Sequence, residues 1–299
     1  MTSSSQFRGT GVAMITPFTR DSEVDFDRLK QHTDGLIHQG VNYLVVLGTT
    51  AETPTLSSNE KQKIVRTVVE VNNGRIPVVV GVGGNDTRGV IQQMKDLDRR
   101  GVDAILSVVP YYNKPTQEGI YQHYSALAAA TELPMMLYNV PGRTGSNMAA
   151  ETVLRLATDY PGTIFSVKEA SGNFEQLTDI LREKPEEFLL ISGDDGITLP
   201  LISLGGSGVV SVIGNAYPGL FSRMVEAALS GQYPEAQHLH LSLAPMIKAI
   251  FKEGNPAGIK AAMEVQGWIE NVVRLPLVPA SRSLTEEIRK LNNQLHQLF

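Results

Sequence analysis

The sequence predicts an α/β protein in which eight parallel strands form one closed barrel. Three observations support this fold class: eight short apolar runs recur along the first two thirds of the 299-residue chain, amphipathic stretches separate them, and the alternation stops near Asn215. Continuous apolar runs of four to eight residues are typical of parallel strands covered on both faces. The repeat of roughly 20–35 residues matches one β/α unit of an eight-stranded TIM barrel. A doubly wound open sheet, which also alternates strands and helices, is the competing fold.

The eight apolar runs are the predicted strands. In chain order they are Gly11–Thr16, Tyr43–Gly48, Pro77–Gly83, Ala104–Pro110, Pro134–Val140, Ile164–Lys168, Phe188–Gly193 and Gly208–Ile213. The clearest helical periodicity is found in Phe26–His38, Ser58–Val71 and Asn173–Leu181. After Asn215 the pattern is mostly helical, so we expect residues 1–225 to form the barrel and residues 226–299 to pack on it as three helices. No linker rich in Ser, Pro or Gly separates the two regions.

Composition and charge exclude several functional classes. The chain has 26 Lys and Arg against 31 Asp and Glu, a net charge of −5, which argues against nucleic acid as a partner. It contains no cysteine, which excludes disulfides, thiolate nucleophiles and metal centres held by Cys. The polar segment Met1–Arg8 lacks the apolar core of a signal peptide, and no apolar run approaches the ~20 residues of a membrane helix. We therefore expect a cytoplasmic protein without membrane partners.

The histidines do not show the spacing of a catalytic metal site. His238 and His240 lack the i, i+4 spacing of a helical zinc pair, and His32 and His38 are predicted on helix surfaces. No phosphate loop with Gly-Lys-Ser/Thr and no complete dinucleotide glycine pattern follows a predicted strand. We therefore expect chemistry that uses neither a metal nor an organic cofactor.

Lys168 is the residue whose position points most clearly to chemistry. It is the only Lys or Arg within the eight apolar runs. Strand alternation places its side chain on the same face as Ser166 and Ile164, in the barrel interior. Burial disfavours the charged ammonium, and an accessible neutral amine attacks carbonyl groups to form a Schiff base. The alternative is a strand-end lysine that reaches water or pairs with Glu169.

Two further clusters lie where other predicted strands end, which is the edge at which TIM barrels place catalytic residues. Tyr138 ends the fifth run and can exchange protons beside an amine, and Arg143 lies in the following loop, where its guanidinium can grip a carboxylate. Thr49 and Thr50 follow the second run, where hydroxyls and backbone N–H groups at a turn can hold a small carboxylate. Taken singly, Tyr138 also fits a core aromatic and Arg143 a surface cation. Their clustering at one barrel rim favours a site.

Several motifs, taken in order, resemble the pyruvate-dependent class I aldolase family, which includes dihydrodipicolinate synthase and N-acetylneuraminate lyase. The motifs are Gly48-Thr-Thr-Ala-Glu52, Pro110-Tyr-Tyr-Asn-Lys-Pro115, Tyr138-Asn-Val-Pro-Gly-Arg-Thr-Gly145, Val167-Lys-Glu-Ala-Ser-Gly172 and Ser192-Gly-Asp-Asp195. The resemblance covers nearly the whole chain and implies a barrel with a C-terminal helical portion. Within the family, the pattern around Tyr138 and Arg143 is similar to that of the dihydrodipicolinate synthase branch.

The resemblance implies an activity and a role for each site residue. The implied reaction joins pyruvate, held as a Schiff base on Lys168, to L-aspartate 4-semialdehyde and gives 4-hydroxy-tetrahydrodipicolinate for diaminopimelate and lysine biosynthesis. The implied roles are a proton relay for Tyr138, Thr49 and Tyr112, carboxylate binding for Thr49, Thr50 and Arg143, and a backbone carbonyl beside the lysine for Val210. In this family, the residue at position 112 reaches into the neighbouring subunit of a tight dimer, and two such dimers form a homotetramer.

Three features depart from the family pattern. Ala51 stands where the family most often has glycine, which is tolerated if this residue keeps a negative φ. The segment Asn255–Lys260 is a variant of Asn-Pro-x-Pro-x-Lys, and we expect it to affect the C-terminal region more than the site. Lys61 and Gly89 replace a histidine and a glutamate that help to bind the inhibitor in lysine-sensitive relatives. A cation there repels the ammonium of that inhibitor, so we predict weak or absent inhibition by lysine.

The same residues are also compatible with other functions. A relative that cleaves a sugar acid, such as 2-keto-3-deoxygluconate or N-acetylneuraminate, would use the same lysine. Arg143 discriminates here, because sugar-acid relatives usually carry a different residue in that loop. A non-catalytic barrel would bind a keto acid without turnover and without a trapped imine. A phosphate-dependent barrel isomerase is disfavoured because no phosphate-binding loop follows the seventh strand.

Overall fold

The barrel is closed and its eight strands pair in chain order, as seen in a computed structural model that describes residues 4–298. The strands are β1 (Gly9–Ala13), β2 (Tyr43–Val46), β3 (Val78–Gly81), β4 (Ala104–Val108), β5 (Met135–Asn139), β6 (Ile164–Glu169), β7 (Leu189–Ser192) and β8 (Gly208–Ser211). β8 pairs in parallel with β1, which closes the sheet. The predicted TIM barrel is confirmed, and the open doubly wound sheet is wrong. Residues 1–3 of the predicted barrel region and residue 299 of the predicted C-terminal region lie outside the described residues.

Helices connect the strands and continue beyond β8. They are α1 (Phe26–His38), α2 (Ser58–Asn72), α3 (Thr87–Asp96), α4 (Gln117–Ala130), α5 (Pro141–Thr144), α6 (Ala150–Asp159), α7 (Phe174–Glu183), α8 (Thr198–Ser203), α9 (Pro218–Leu229), α10 (Tyr233–Phe251), α11 (Ala257–Val265) and α12 (Arg282–Leu298). α9 crosses the predicted boundary between residues 225 and 226, and three complete helices follow it. The division into two regions stays a prediction. None of the helices between residues 4 and 298 is long and apolar enough to span a membrane.

Local sequence signals explain where the outer helices begin. Before α2, the Ser57 hydroxyl accepts a hydrogen bond from the Glu60 backbone N–H, and the Glu60 carboxylate accepts one from the Ser57 backbone N–H. This capping box satisfies two backbone donors that have no partner within the helix. At the start of α7, Asn173 Oδ1 accepts hydrogen bonds from the backbone N–H groups of Glu175 and Gln176. Short polar side chains before an amphipathic stretch therefore determine where these helices begin.

The apolar side chains form three buried clusters. One fills the barrel interior and includes Phe7, Tyr43, Met136 and Ile191. A larger cluster lies between the outer face of the strands and the helices around them. The third cluster packs α9 to α12 on one another and on the β8 side of the barrel. Burial on both faces of the sheet explains why each strand is a continuous apolar run in the sequence.

One irregularity changes which side chains of β6 face the barrel interior. The register of β5 and β6 shifts at the start of both strands, so that Phe165 is an extra residue on β6. A bulge of this kind reverses the alternation of side chains. Ile164 packs in the outer cluster, whereas Phe165 packs in the interior, with its ring centroid 4.7 Å from that of Phe7. The expectation that Ile164 shares the inner face with Lys168 is therefore wrong.

Candidate active site

Lys168 lies near the carboxyl end of β6, with its side chain in the barrel interior. The residue is 5% exposed. Its Nζ lies 4.0 Å from the centre of the Tyr138 ring, and Tyr138 is its register partner on β5. A Cβ added to Gly193, just after β7, would lie 3.2 Å from Lys168 Cε, so this glycine leaves room for the lysine side chain. The structure thus places the lysine inside the barrel mouth and away from bulk solvent.

The Lys168 ammonium forms no hydrogen bond or ion pair within the part of the chain that the structure describes. The neighbouring Glu169 points to the opposite face, because successive residues of a strand alternate. Its carboxylate accepts hydrogen bonds from Asn139 Nδ2 at 2.9 Å, Gln176 Nε2 at 2.9 Å and the Ser171 N–H at 2.7 Å. The alternative in which Lys168 pairs with Glu169 is therefore wrong. A buried amine without an ionic partner can serve as a nucleophile.

The hydrogen bonds of Glu169 also anchor the loop that carries Arg143. Asn139 Oδ1 accepts a hydrogen bond from the Met148 N–H at 2.9 Å, and Asn139 Nδ2 donates to Asn147 Oδ1 at 2.8 Å. A hydrogen-bond network with a buried carboxylate at its centre holds its members in one arrangement. The connection from β5 to α6 is therefore fixed to the carboxyl ends of β5 and β6. Sequence reasoning did not identify this network, although the polar residues at the ends of β5 and β6 were a signal for it.

A cavity of about 1260 Å³ extends from the carboxyl ends of β2 to β5 outward along α2 and the end of α3. Thr49, Tyr138 and Arg143 line it. Lys168 is not among the lining residues, and it adjoins the cavity through its contact with the Tyr138 ring. The structure thus brings three of the predicted site residues to one space and places the candidate nucleophile against its wall.

Thr49 and Thr50 lie in a short 3-10 turn directly after β2. Thr49 is exposed, whereas Thr50 is buried and its hydroxyl accepts a hydrogen bond from Asn255 Nδ2 at 2.9 Å. Ala51 does not adopt a positive φ, so an alanine fits this position. The tertiary structure packs Asn255 of the segment Asn255–Lys260 directly against the turn. Whether the variation in this segment affects the C-terminal region more than the site stays a prediction.

Arg143 and Tyr112 lie at the rim, and both side chains are exposed. Arg143 is on the short helix α5 and lines the cavity. Tyr112 is 87% exposed and has a φ of 72°, a backbone conformation that is uncommon for residues with a Cβ. Its N–H donates a hydrogen bond to the Thr144 carbonyl oxygen at 3.3 Å. The Tyr112 side chain is not among those that line the cavity.

Val210 is buried on β8, in the same interior cluster as Tyr138. The chain directly after it is held by Asp195, a residue that the sequence analysis did not assign to the site. The Asp195 carboxylate accepts hydrogen bonds from the backbone N–H groups of Ile213 at 2.8 Å and Val212 at 3.1 Å. Burial raises the pKa of Asp195 to about 6, and these backbone hydrogen bonds oppose the shift. An acidic residue directly after a predicted strand was the signal available for this role.

His32 is buried, and its predicted position on a helix surface is wrong. Its Nε2 lies 3.0 Å from Asn215 Oδ1, and burial lowers the pKa of His32 to about 4. Asn215 Oδ1 also accepts a hydrogen bond from the Ile15 N–H. His32 therefore ties α1 to the segments that follow β1 and β8. Between residues 4 and 298, no three His, Asp or Glu side chains cluster as metal ligands.

Comparison with known proteins identifies relatives of this chain over almost its whole length. The sequence profile of the dihydrodipicolinate synthetase family matches residues 6–295. The 4-hydroxy-tetrahydrodipicolinate synthase of Parabacteroides distasonis is 56% identical over 288 residues, which cover 96% of this chain and 97% of that protein.

Solved structures of similar proteins have the same fold. A structure described as the first monomeric dihydrodipicolinate synthase variant has a TM-score of 0.94 and 39% identity, and the match covers 97% of each chain. The chloride-inhibited dihydrodipicolinate synthase from Acinetobacter baumannii, solved in complex with pyruvate, has a TM-score of 0.93 and 38% identity, and covers 97% of this chain and 99% of that chain. This chain therefore belongs to the dihydrodipicolinate synthetase family.

Proposed function

We propose that this chain condenses pyruvate with L-aspartate 4-semialdehyde through a Schiff base on Lys168. The product is 4-hydroxy-tetrahydrodipicolinate, an intermediate of diaminopimelate and lysine biosynthesis. The observation that carries the proposal is the buried, unpaired Lys168 amine, 4.0 Å from the Tyr138 ring beside a cavity lined by Arg143. The family membership and the printed activity of the Parabacteroides distasonis relative support the same reaction.

The chemistry follows from the reactivity of a neutral amine. Lys168 Nζ attacks the keto carbon of pyruvate, and loss of water gives a protonated imine that withdraws electrons from the methyl group. Loss of a methyl proton gives an enamine, whose carbon attacks the aldehyde. The amine of the joined substrates then displaces Lys168 and closes the ring. Tyr138, Thr49 and Tyr112 of the partner subunit carry the protons between these steps.

Substrate binding is assigned to groups around this lysine. The Thr49 and Thr50 turn holds the carboxylate of pyruvate, and Arg143 receives the carboxylate of the semialdehyde as a bidentate partner. To the carbonyl of Val210 we assign the orientation of the lysine amine. The exposure of Arg143 at the cavity rim suits a residue that meets the second substrate on entry.

The assembly we propose is a cytoplasmic homotetramer built from two tight dimers. Tyr112 supports it, because this side chain is 87% exposed and is not among those that line the cavity. An aromatic side chain held outward at a rim is typical of a residue that enters a neighbouring subunit. One solved relative is described as monomeric, so light scattering of the purified protein is the direct measurement of this assembly. A monomer in solution with full activity would contradict a role for Tyr112 in a neighbouring site.

Borohydride trapping tests the proposed function. Pyruvate plus borohydride should add one reduced pyruvyl group at Lys168, found by peptide mapping, and Lys168→Ala should remove it. Lys95→Ala, which changes an exposed lysine on α3, is the matched control and should leave trapping intact. The unaltered enzyme should also turn over pyruvate with aspartate semialdehyde in an assay coupled to the next reductase, and ignore long polyhydroxylated aldehydes. Failure to trap any adduct would overturn the Schiff-base mechanism, and turnover of polyhydroxylated aldehydes would favour a sugar-acid aldolase.

A further inference from the structure

The C-terminal region contacts the loop that follows β2 at a fully buried ion pair. Glu52, the residue after the threonine turn, has its Oε1 2.6 Å from Lys260 Nζ, and both side chains are 0% exposed. Glu52 Oε2 accepts a hydrogen bond from the Arg274 backbone N–H at 2.8 Å. Lys260 lies on α11, and Arg274 lies between α11 and α12. Two separate parts of the C-terminal region therefore converge on one carboxylate of the barrel.

Thr50 and Ala51, the two residues before Glu52, each accept a hydrogen bond from a distant part of the chain. The Ala51 carbonyl oxygen accepts a hydrogen bond from the Thr16 hydroxyl at 2.8 Å, and the Thr50 hydroxyl accepts one from Asn255 Nδ2 at 2.9 Å. Glu52 itself has a φ of 56°, a left-handed conformation that is unfavourable for a residue with a Cβ. Strained backbone persists only where the surrounding contacts impose it. These contacts therefore hold the loop in a shape that it would not adopt alone.

The hydrogen bond from Asn255 also determines what the Thr50 hydroxyl can offer to a ligand. A hydroxyl has one proton to donate and two lone pairs that accept. Because Asn255 Nδ2 donates to the Thr50 oxygen, the Thr50 proton is free to point at another acceptor. An ionised carboxylate only accepts hydrogen bonds. Asn255 thus prepares Thr50 as a donor for a carboxylate.

We infer that Lys260, Glu52 and Asn255 are positioning residues through which the C-terminal region holds the Thr49 and Thr50 turn in the geometry that binds the carboxylate of the keto acid. The inference rests on the proposed function, in which this turn binds pyruvate. A buried ion pair that serves stability alone can often be replaced by neutral side chains without loss. A pair that positions a binding turn has a different signature, since its neutral replacement weakens binding of one substrate and leaves the chemical step intact.

The test is a variant that removes both charges together, Glu52→Gln/Lys260→Met, so that no unpaired charge stays buried. We expect the KM for pyruvate to rise about 10-fold or more, because small misplacements of binding groups have large effects. The kcat at saturating pyruvate and the KM for aspartate semialdehyde should stay within about 2-fold. The matched control is Lys252→Met/Glu287→Gln, which neutralises an exposed ion pair of 2.8 Å in the same C-terminal region. All three constants should be unchanged in the control.

A second variant tests the hydrogen bond at Thr50 without changing shape. Asn255→Asp keeps the size of the side chain but replaces the donor by an acceptor, so the Thr50 proton turns towards residue 255 and away from the substrate. We expect the KM for pyruvate to rise at high pH and to return towards the parent value at low pH. The reason is that a protonated carboxyl group can donate to Thr50 again. A purely structural role would not produce this pH profile.

The outcomes separate the inference from the proposed function. An unchanged pyruvate KM in the double variant, with imine trapping intact, would overturn the inference and leave the proposed function standing. A loss of kcat with the pyruvate KM unchanged would also overturn it. No trapping in the unaltered protein would overturn the proposed function itself. Should the double variant fail to fold, the Asn255→Asp profile decides, and a pyruvate KM equal to that of the parent at all pH values would overturn the inference.

Discussion

The barrel mouth and the junction with the C-terminal region each contain a buried lysine, and the two surroundings differ. Lys260 is 0% exposed and donates to Glu52 Oε1 at 2.6 Å and to the Val272 carbonyl oxygen at 2.8 Å. Lys168 is 5% exposed and faces the Tyr138 ring, without a hydrogen bond or ion pair among the described residues. The two lysines are therefore almost equally buried, but only the ammonium of Lys260 has hydrogen-bond acceptors among the described residues.

This difference teaches that burial alone does not determine whether a lysine ammonium has a hydrogen-bond partner. Burial lowers the pKa of Lys260 to about 8, and the attraction of Glu52 opposes that shift. Glu52 and the Val272 carbonyl oxygen engage the Lys260 ammonium in hydrogen bonds, whereas an amine without an acceptor can attack a carbonyl. What decides the role is whether the folded chain supplies an acceptor for the amine.

The largest effect expected from the comparison is on catalysis. Lys168→Met should lower kcat by at least about 10⁴-fold, which is about 5.5 kcal/mol, because methionine has no amine to form the imine. The measurement is steady-state turnover of pyruvate and aspartate semialdehyde. Residual turnover within a factor of about 10 of the parent would place the covalent step on another residue.

Replacing each of the two lysines by methionine should change the free energy of unfolding by different amounts. Lys260→Met leaves the Glu52 carboxylate buried without its partner and should lower the free energy of unfolding by about 3–5 kcal/mol. Lys168→Met removes an unpaired buried amine and should leave that free energy within about 1 kcal/mol of the parent, or raise it. Urea unfolding of both variants measures the difference. Equal destabilisation by the two changes would break the comparison.

Asp195 extends the comparison to a buried acid that has no cationic partner between residues 4 and 298. Burial raises its folded-state pKa to about 6 from the ordinary 3.8. Its contribution to stability is therefore complete below about pH 4 and is lost as the pH rises through 6. The free energy of unfolding of the parent relative to Asp195→Asn should fall by about 3 kcal/mol between pH 4 and pH 7. Urea unfolding across this range is the measurement, and Asp21→Asn, which changes an exposed acid between β1 and α1, is the control that should show no such trend.

Arg143 is an exposed cation at the rim of the barrel mouth. Its replacement should weaken the binding of one substrate only. Arg143→Ala should raise the KM for aspartate semialdehyde about 10- to 100-fold, since hydrogen bonds to a charged group contribute about 1.5–3 kcal/mol. The KM for pyruvate should change little. The measurement is a matrix of initial rates over both substrates, and an increase confined to pyruvate would reverse the assignment of the two carboxylate sites.

Lys61 is a half-buried lysine that lines the cavity, and it gives the smallest expected effect. We predict weak or absent inhibition of initial rates by added lysine, because a cation at this position repels the inhibitor's ammonium and Gly89 supplies no carboxylate. Initial rates measured with increasing lysine check this. A sub-millimolar inhibition constant would contradict it.

Much of the fold was predictable because it depends on local patterns. The eight apolar runs predicted all eight strands, and the amphipathic stretch Phe26–His38 coincides with α1. The failures came from contacts between distant segments. His32 was placed on a helix surface, but α1 buries it against Asn215. Ile164 was placed in the barrel interior, but a bulge moved it to the outer cluster, and a bulge has no signal in a continuous apolar run.

The sequence by itself determined the barrel, the position of Lys168 within a strand and the polar residues at the strand ends, since side-chain alternation and turn preferences act over a few neighbours. Only the tertiary structure decided which partners those residues have. It separated Glu169 from Lys168 and brought Lys260 to Glu52 from 208 positions away along the chain. The physical reason is that an ion pair or hydrogen bond depends on distances of about 3 Å in space, and the order of residues in the chain does not specify such distances until the barrel has closed.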